Sequence, residues 1–163
     1  MKAALIICAL LVPVSGAAQS MTAEDFLRQA AEGCFAHVEA GRMAQGITTL
    51  PPSVQQLGRQ MGANGVQMTE RLAQLAAARN LALTNQIPAA DRRTLERLST
   101  LQGAAFTRDY LGTVLDSLER ARALFQMAAM LEDAGVAQFA GDRLPGIETQ
   151  LQVAGAVYDA QIP

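Results

Sequence analysis

Cys34 and His37 carry the strongest intrinsic chemistry in this sequence, and they stand three residues apart as Cys-x-x-His. On a helix that spacing puts the thiol and the imidazole on one face. His37 is the single histidine. Joined by Met61 and Met68 from the following helix, the pair would make a set of soft donors suited to Cu(I) or zinc. The plainer reading is that the imidazole makes one hydrogen bond, to Ser117 or Gln150, while the thiol packs as a small apolar group. Two clear ligands are too few for a metal site, so neither metal nor any other cofactor is expected.

Other catalytic patterns are missing. Di-iron carboxylate chemistry needs Glu-x-x-His pairs, c-type haem attachment needs Cys-x-x-Cys-His, and a serine hydrolase of the elbow type needs Gly-x-Ser-x-Gly. None of these occurs. The paired acids Glu132-Asp133 and Asp116 with Glu119 read as solvated helix faces rather than acid and base. The expectation is a non-enzymatic protein.

The first residues, "MKAALIICALLVPVSGAAQS", combine Lys2, a 12-residue apolar run from Ala3 to Val14, and the small residues Ser15 to Ala18. This is the pattern of a secretory signal peptide over residues 1–18, cleaved after Ala18, and the run is too short for a membrane span, which takes about 20 residues. Lys2 is the only lysine, so the mature chain has 12 Arg against 15 Asp plus Glu, a net charge of −3. No basic stripe exists for nucleic acid. Cys8 leaves with the leader and Cys34 remains alone, which excludes an intrachain disulfide in the periplasm or outside the cell. No transmembrane segment is expected in the mature chain, and an envelope protein is the kind of partner left open.

These candidates have to be positioned by helices. Thr22 with Asp25 forms a capping-box start, and Leu27, Ala30, Ala31, Cys34, Val38 and Gly41 keep a helical period to about Gln45. Pro51-Pro52 opens a second helix. Across "RQMGANGVQM" its apolar beat, Val54, Leu57, Met61, Met68, Leu72 and Leu75, continues despite Gly62, Gly65 and the turn-prone Asn64-Gly65. The spacing predicts one helix over 52–79, about 42 Å long, with a hole on its core seam at Gly65. The stretch 89–99 predicts a short satellite helix after Pro88. A long helix follows over 104–133, ended by Gly135 and striped by Phe106, Tyr110, Val114, Ser117, Ala121, Leu124, Ala128 and Leu131. Met127 and Met130 read as core filler. The last helix, 136–158, either kinks at Pro145 or starts there in effect. The sum is an all-α protein, a ferritin-like four-helix bundle with one additional short helix, in one domain over residues 22–160.

With these elements placed, the sequence resembles an exported bacterial helical domain of unknown function, the DUF4142 family, over about residues 24–158. The resemblance rests on "DFLRQAAEGCFAHVEAGRMA", "VQQLGRQM", "ERLAQLAA", "LSTLQGAAFTRDYL" and "RLPGIETQL". It implies a glutamate in the first helix and a histidine in each of the other long helices. The matching positions here are His37, Gly65, Ser117 and Gln150, and none keeps the family residue; Thr107 likewise replaces an aspartate. The resemblance therefore implies an interior cluster that has lost its metal-type histidines, in a periplasmic or secreted protein whose biochemical role is unknown.

Overall fold

The computed structural model describes residues 21–162, which form five helices: α1 (Ala23–Gly46), α2 (Pro52–Ala77), α3 (Ala89–Ser99), α4 (Gly103–Ala128) and α5 (Ala134–Gln161). Among the described residues there is no strand, and no helix is long and apolar enough to cross a membrane. The leader read over residues 1–18 lies outside them. The protein is all-α, with four long helices and one short one.

Helix starts follow local chemistry. Thr22 accepts from the Asp25 amide, and the Asp25 carboxylate accepts from the Thr22 amide at 3.0 Å, so two end groups of α1 are satisfied reciprocally. Pro52 opens α2 with a ring that fits the first turn. α2 then runs unbroken through Gly62, Asn64 and Gly65.

Two packed layers fix the order of the long helices. One joins the end of α1 (Ala40, Ala44), the start of α2 (Val54, Leu57), the start of α4 (Phe106, Tyr110, Leu111) and Ala154 near the end of α5. The other joins Phe26 and Leu27 at the start of α1 with Leu72 and Ala76 of α2, Phe125 and Ala128 of α4, and Val136 and Ala140 of α5. Phe26 stands edge-on to Phe125 at 5.0 Å. α1 therefore runs antiparallel to both α2 and α4, while α2 and α4 run parallel. The chain between them, carrying α3, traverses the length of the bundle, and Leu98 of α3 is sealed into the first layer. α1 packs chiefly on α2, and α4 on α5.

Three expectations need correction. α4 stops at Ala128, well before Asp133, and Gly135 does not end it. Asp133 instead caps α5, accepting from the Val136 amide at 3.0 Å, and it holds Arg79 through two contacts of 2.5 and 2.8 Å. Met127 and Met130 are exposed, at 48% and 80%, because Phe125 and Ala128 take the inward positions at this level. Of the two readings at Pro145, the effective start is corrected: α5 runs through it from Ala134 to Gln161. Gly141 and Pro145 are both exposed, so the carbonyl that loses its amide partner faces solvent.

Candidate functional site

Between the two layers the four long helices leave a cavity of about 380 Å³, open on the side between α1 and α4. The reason is side-chain size. At this height α1 presents Gly33, Ala36 and Ala40, and α4 presents Thr113, Ser117 and Ala121, so the facing stripes cannot fill the gap. α1 and α2 meanwhile approach very closely. A Cβ on Gly41 would stand 2.6 Å from the Gly58 carbonyl oxygen, and one on Gly58 would stand 2.8 Å from Ala44 Cβ. α3 edges the mouth with Asp91, Thr94 and Leu95, and Asp91 pairs with Arg120 of α4 at 3.5 Å.

All the positions singled out from sequence reach this space: Cys34, His37, Met61, Gly65, Met68, Ser117 and Gln150 all line it. His37 Nε2 lies 2.8 Å from Ser117 Oγ. The Ser117 hydroxyl has a second contact at 2.8 Å, donating to the Val114 carbonyl. Both protons find an acceptor only if Nε2 carries hydrogen and donates to Oγ, because the other tautomer would leave an imidazole N–H without a partner. Nδ1 is then a bare acceptor with no donor among the described residues, and it is not fully buried, since the one fully buried side-chain atom without a partner among them is the Tyr110 hydroxyl oxygen. Burial, helped by the positive charge of Arg120, pushes the His37 pKa down to about 4, so the ring is neutral at physiological pH.

The sets read from sequence fare differently. Burial pushes the Cys34 thiol up to about 12, against a smaller opposing effect of its hydrogen bond with Thr69. It is therefore a protonated thiol in a buried position, as the packing reading holds. At Gly65 the expectation is corrected in part: the position lines the cavity, but there is no room for a side chain along its own Cβ direction. A Cβ there would meet Val38 Cγ2 at 2.8 Å and the Cys34 carbonyl oxygen at 3.1 Å, so the backbone of α1 occupies the space. Of the degenerate set, His37 contributes one imidazole, Ser117 a hydroxyl already engaged, Gln150 an amide and Gly65 no side chain. That donor set does not fit a transition metal. Among the described residues no group of three or more His, Cys, Asp or Glu is placed to hold a metal ion.

Two features escaped the sequence reading. Tyr110, foreseen only as part of a stripe, lines the cavity with its ring stacked on Phe106 at 5.5 Å. Its hydroxyl is fully buried, unpartnered, and about 3.4 Å from where a Gly58 Cβ would be. Burial raises its pKa. The other is the α3 rim with its Asp91–Arg120 pair. Nothing local marks it, since 29 residues separate the partners in sequence.

A family model described as a domain of unknown function (DUF4142) matches residues 11–157. No curated protein and no solved structure matches the chain.

Proposed function

Since the chain belongs to the DUF4142 family, we propose that it is an exported, non-enzymatic binding protein of the cell envelope, released after Ala18, that takes a small molecule into its mid-bundle cavity. The observation that carries this reading is the cavity itself. Its volume of about 380 Å³ lies in the range of small-molecule sites, about 300–1,000 Å³. Packed layers bound it on both sides, and its walls are mainly apolar with a few polar atoms. The antiparallel pairs α1/α2 and α4/α5, joined by one connection along the bundle, support assignment to the ferritin-like topology. A different chemistry from that of the metal members of that topology follows from the donors present. The absence of reactive pairs around His37 supports binding rather than catalysis, since its one polar partner is a serine that already donates to backbone.

The soft-metal reading keeps one favourable observation, that Cys34, His37, Met61 and Met68 share a cavity. Against it, a thiolate is the ligand form of cysteine, and the Cys34 environment opposes ionisation.

One experiment separates the two. Untagged protein recovered from the envelope is analysed by native mass spectrometry and by elemental analysis, beside the cavity-filling variant Ala121→Phe. A small organic adduct in the wild type, absent from a folded Ala121→Phe variant, is the expected result. Stoichiometric copper or zinc, lost in His37→Ala, would establish the metal reading instead.

A further inference from the structure

The cavity wall is chemically uneven in a way that narrows what can bind. The charged residues that line it, Glu32, Asp91 and Arg120, stand at the rim, and the last two neutralise each other across the mouth. The remaining acid makes the entrance net negative, which disfavours an anion. Deeper in, no acid among the described residues lines the space, so a cation finds no counter-ion there and its desolvation is not offset. Both signs of charge are selected against.

What remains is a mainly apolar volume, bounded by Met61, Met68, Val114, Leu124 and Ile147, with Asn64, Thr113 and Gln150 as neutral polar side chains on its wall and His37 as its one imidazole. Ser117 Oγ has spent its proton on Val114 and receives that of Nε2. Nδ1 of His37 is left as an acceptor with no donor among the described residues. An acceptor without a donor in a mainly apolar wall favours a ligand that brings one, because an unpaired polar atom covered by an apolar body costs free energy. The Tyr110 hydroxyl is not a competing contact, since it is sealed away from the cavity surface. Gln150, with both an amide N–H and a carbonyl, adapts to either polarity.

We infer that the cavity takes small, uncharged, mainly apolar molecules bearing a hydroxyl, of the phenol or alcohol class, with the hydroxyl donating to His37 Nδ1. The inference rests on the cavity-binding reading above and deepens it to a ligand class. It also explains why a lone histidine stands on a mainly apolar wall with its Nε2 tied back: the tie orients the ring and fixes which nitrogen can accept.

Isothermal titration of purified wild-type protein with three probes of nearly one shape tests it: 4-ethylphenol, 4-ethyltoluene and 4-ethylbenzoate. The expected order is 4-ethylphenol tighter than 4-ethyltoluene by about tenfold, the scale of one buried hydrogen bond, with 4-ethylbenzoate weakest. In His37→Phe, which keeps the apolar volume and removes the acceptor, the phenol should lose its advantage and bind like the toluene. Ser117→Ala, the milder change, should lose part of the preference by releasing Nε2. Melting curves establish that each variant is folded. Equal binding of phenol and toluene by the wild type overturns the hydroxyl assignment while leaving cavity binding intact, as does an undiminished preference in a folded His37→Phe. Tightest binding of the benzoate overturns the uncharged class. If none of the three binds to folded wild-type protein, the cavity-binding reading fails, and the ligand class with it.

Discussion

A neutral imidazole set among Ser117, Arg120 and apolar walls ties the stability of the bundle to pH. The unfolded chain takes up a proton on His37 near pH 6.5, and the folded chain only near 4. Between those values the unfolded state binds more protons, so stability falls as pH drops from about 6.5 to about 4 and the loss is complete below that. Its upper bound is about 3 kcal/mol. Chemical denaturation across this window should show a slope in the wild type that His37→Phe removes. Tyr110 offers a second residue-scale test. Its hydroxyl is buried without a partner, so Tyr110→Phe should be neutral or stabilising, by up to about 1 kcal/mol, in the same measurement. That His37 would bond to Ser117 or Gln150 was legible from the inward faces of their helices, and the structure selects Ser117. What Gly65 makes room for was not legible, because a missing beat looks the same whether it leaves space for a side chain or admits a neighbouring backbone, and the 3.1 Å approach of a Cβ there to the Cys34 carbonyl decides.

At the scale of elements, α1 and α2 approach closely through their glycines, while small residues on the facing stripes of α1 and α4 leave volume between those two helices. Gly41→Ala drives a Cβ to within 2.6 Å of the Gly58 carbonyl oxygen and 3.0 Å of the Gly62 nitrogen. Overpacking against backbone costs about 1–3 kcal/mol, more than the helix-propensity gain of about 1 kcal/mol, so Gly41→Ala should lower the melting temperature. Gly112→Ala in α4 meets nothing within 4 Å and should raise it. Asp133→Ala removes the α5 cap, worth about 1 kcal/mol, together with its pairing to Arg79. Arg79 holds the Asp133 carboxyl down at about 2, against an ordinary value of 3.8. Its contribution is therefore present above about pH 4 and lost as pH falls toward 2, a window below that of His37. Helix existence was readable from the apolar period and from Pro52, Pro88 and Thr22. The α4/α5 boundary was not. An Asp three residues before an apolar position is a cap signal, but Gly135 gave a competing stop signal, and the Arg79 partner that favours the cap lies 54 residues away.

For the whole molecule, two hairpins of long helices are joined by a connection that runs the length of the bundle and leaves α3 at the rim of the cavity. That a connection lies between the helix over 52–79 and the satellite over 89–99 follows from the sequence, but the side it covers depends on Leu98 entering the first layer and on Asp91 meeting Arg120, contacts no local pattern encodes. The cavity likewise follows from small residues on two helices brought face to face, a property of their pairing rather than of either helix. The central claim is that this space is a binding site preformed by the fold. A crystal structure of the protein exposed to 4-ethylphenol measures it directly. The account predicts density for the molecule between α1 and α4, its hydroxyl within hydrogen-bond distance of His37 Nδ1 and its ring against Ile147 and Met68. Side chains closed over that space, with the phenol absent at saturating concentration, would contradict it.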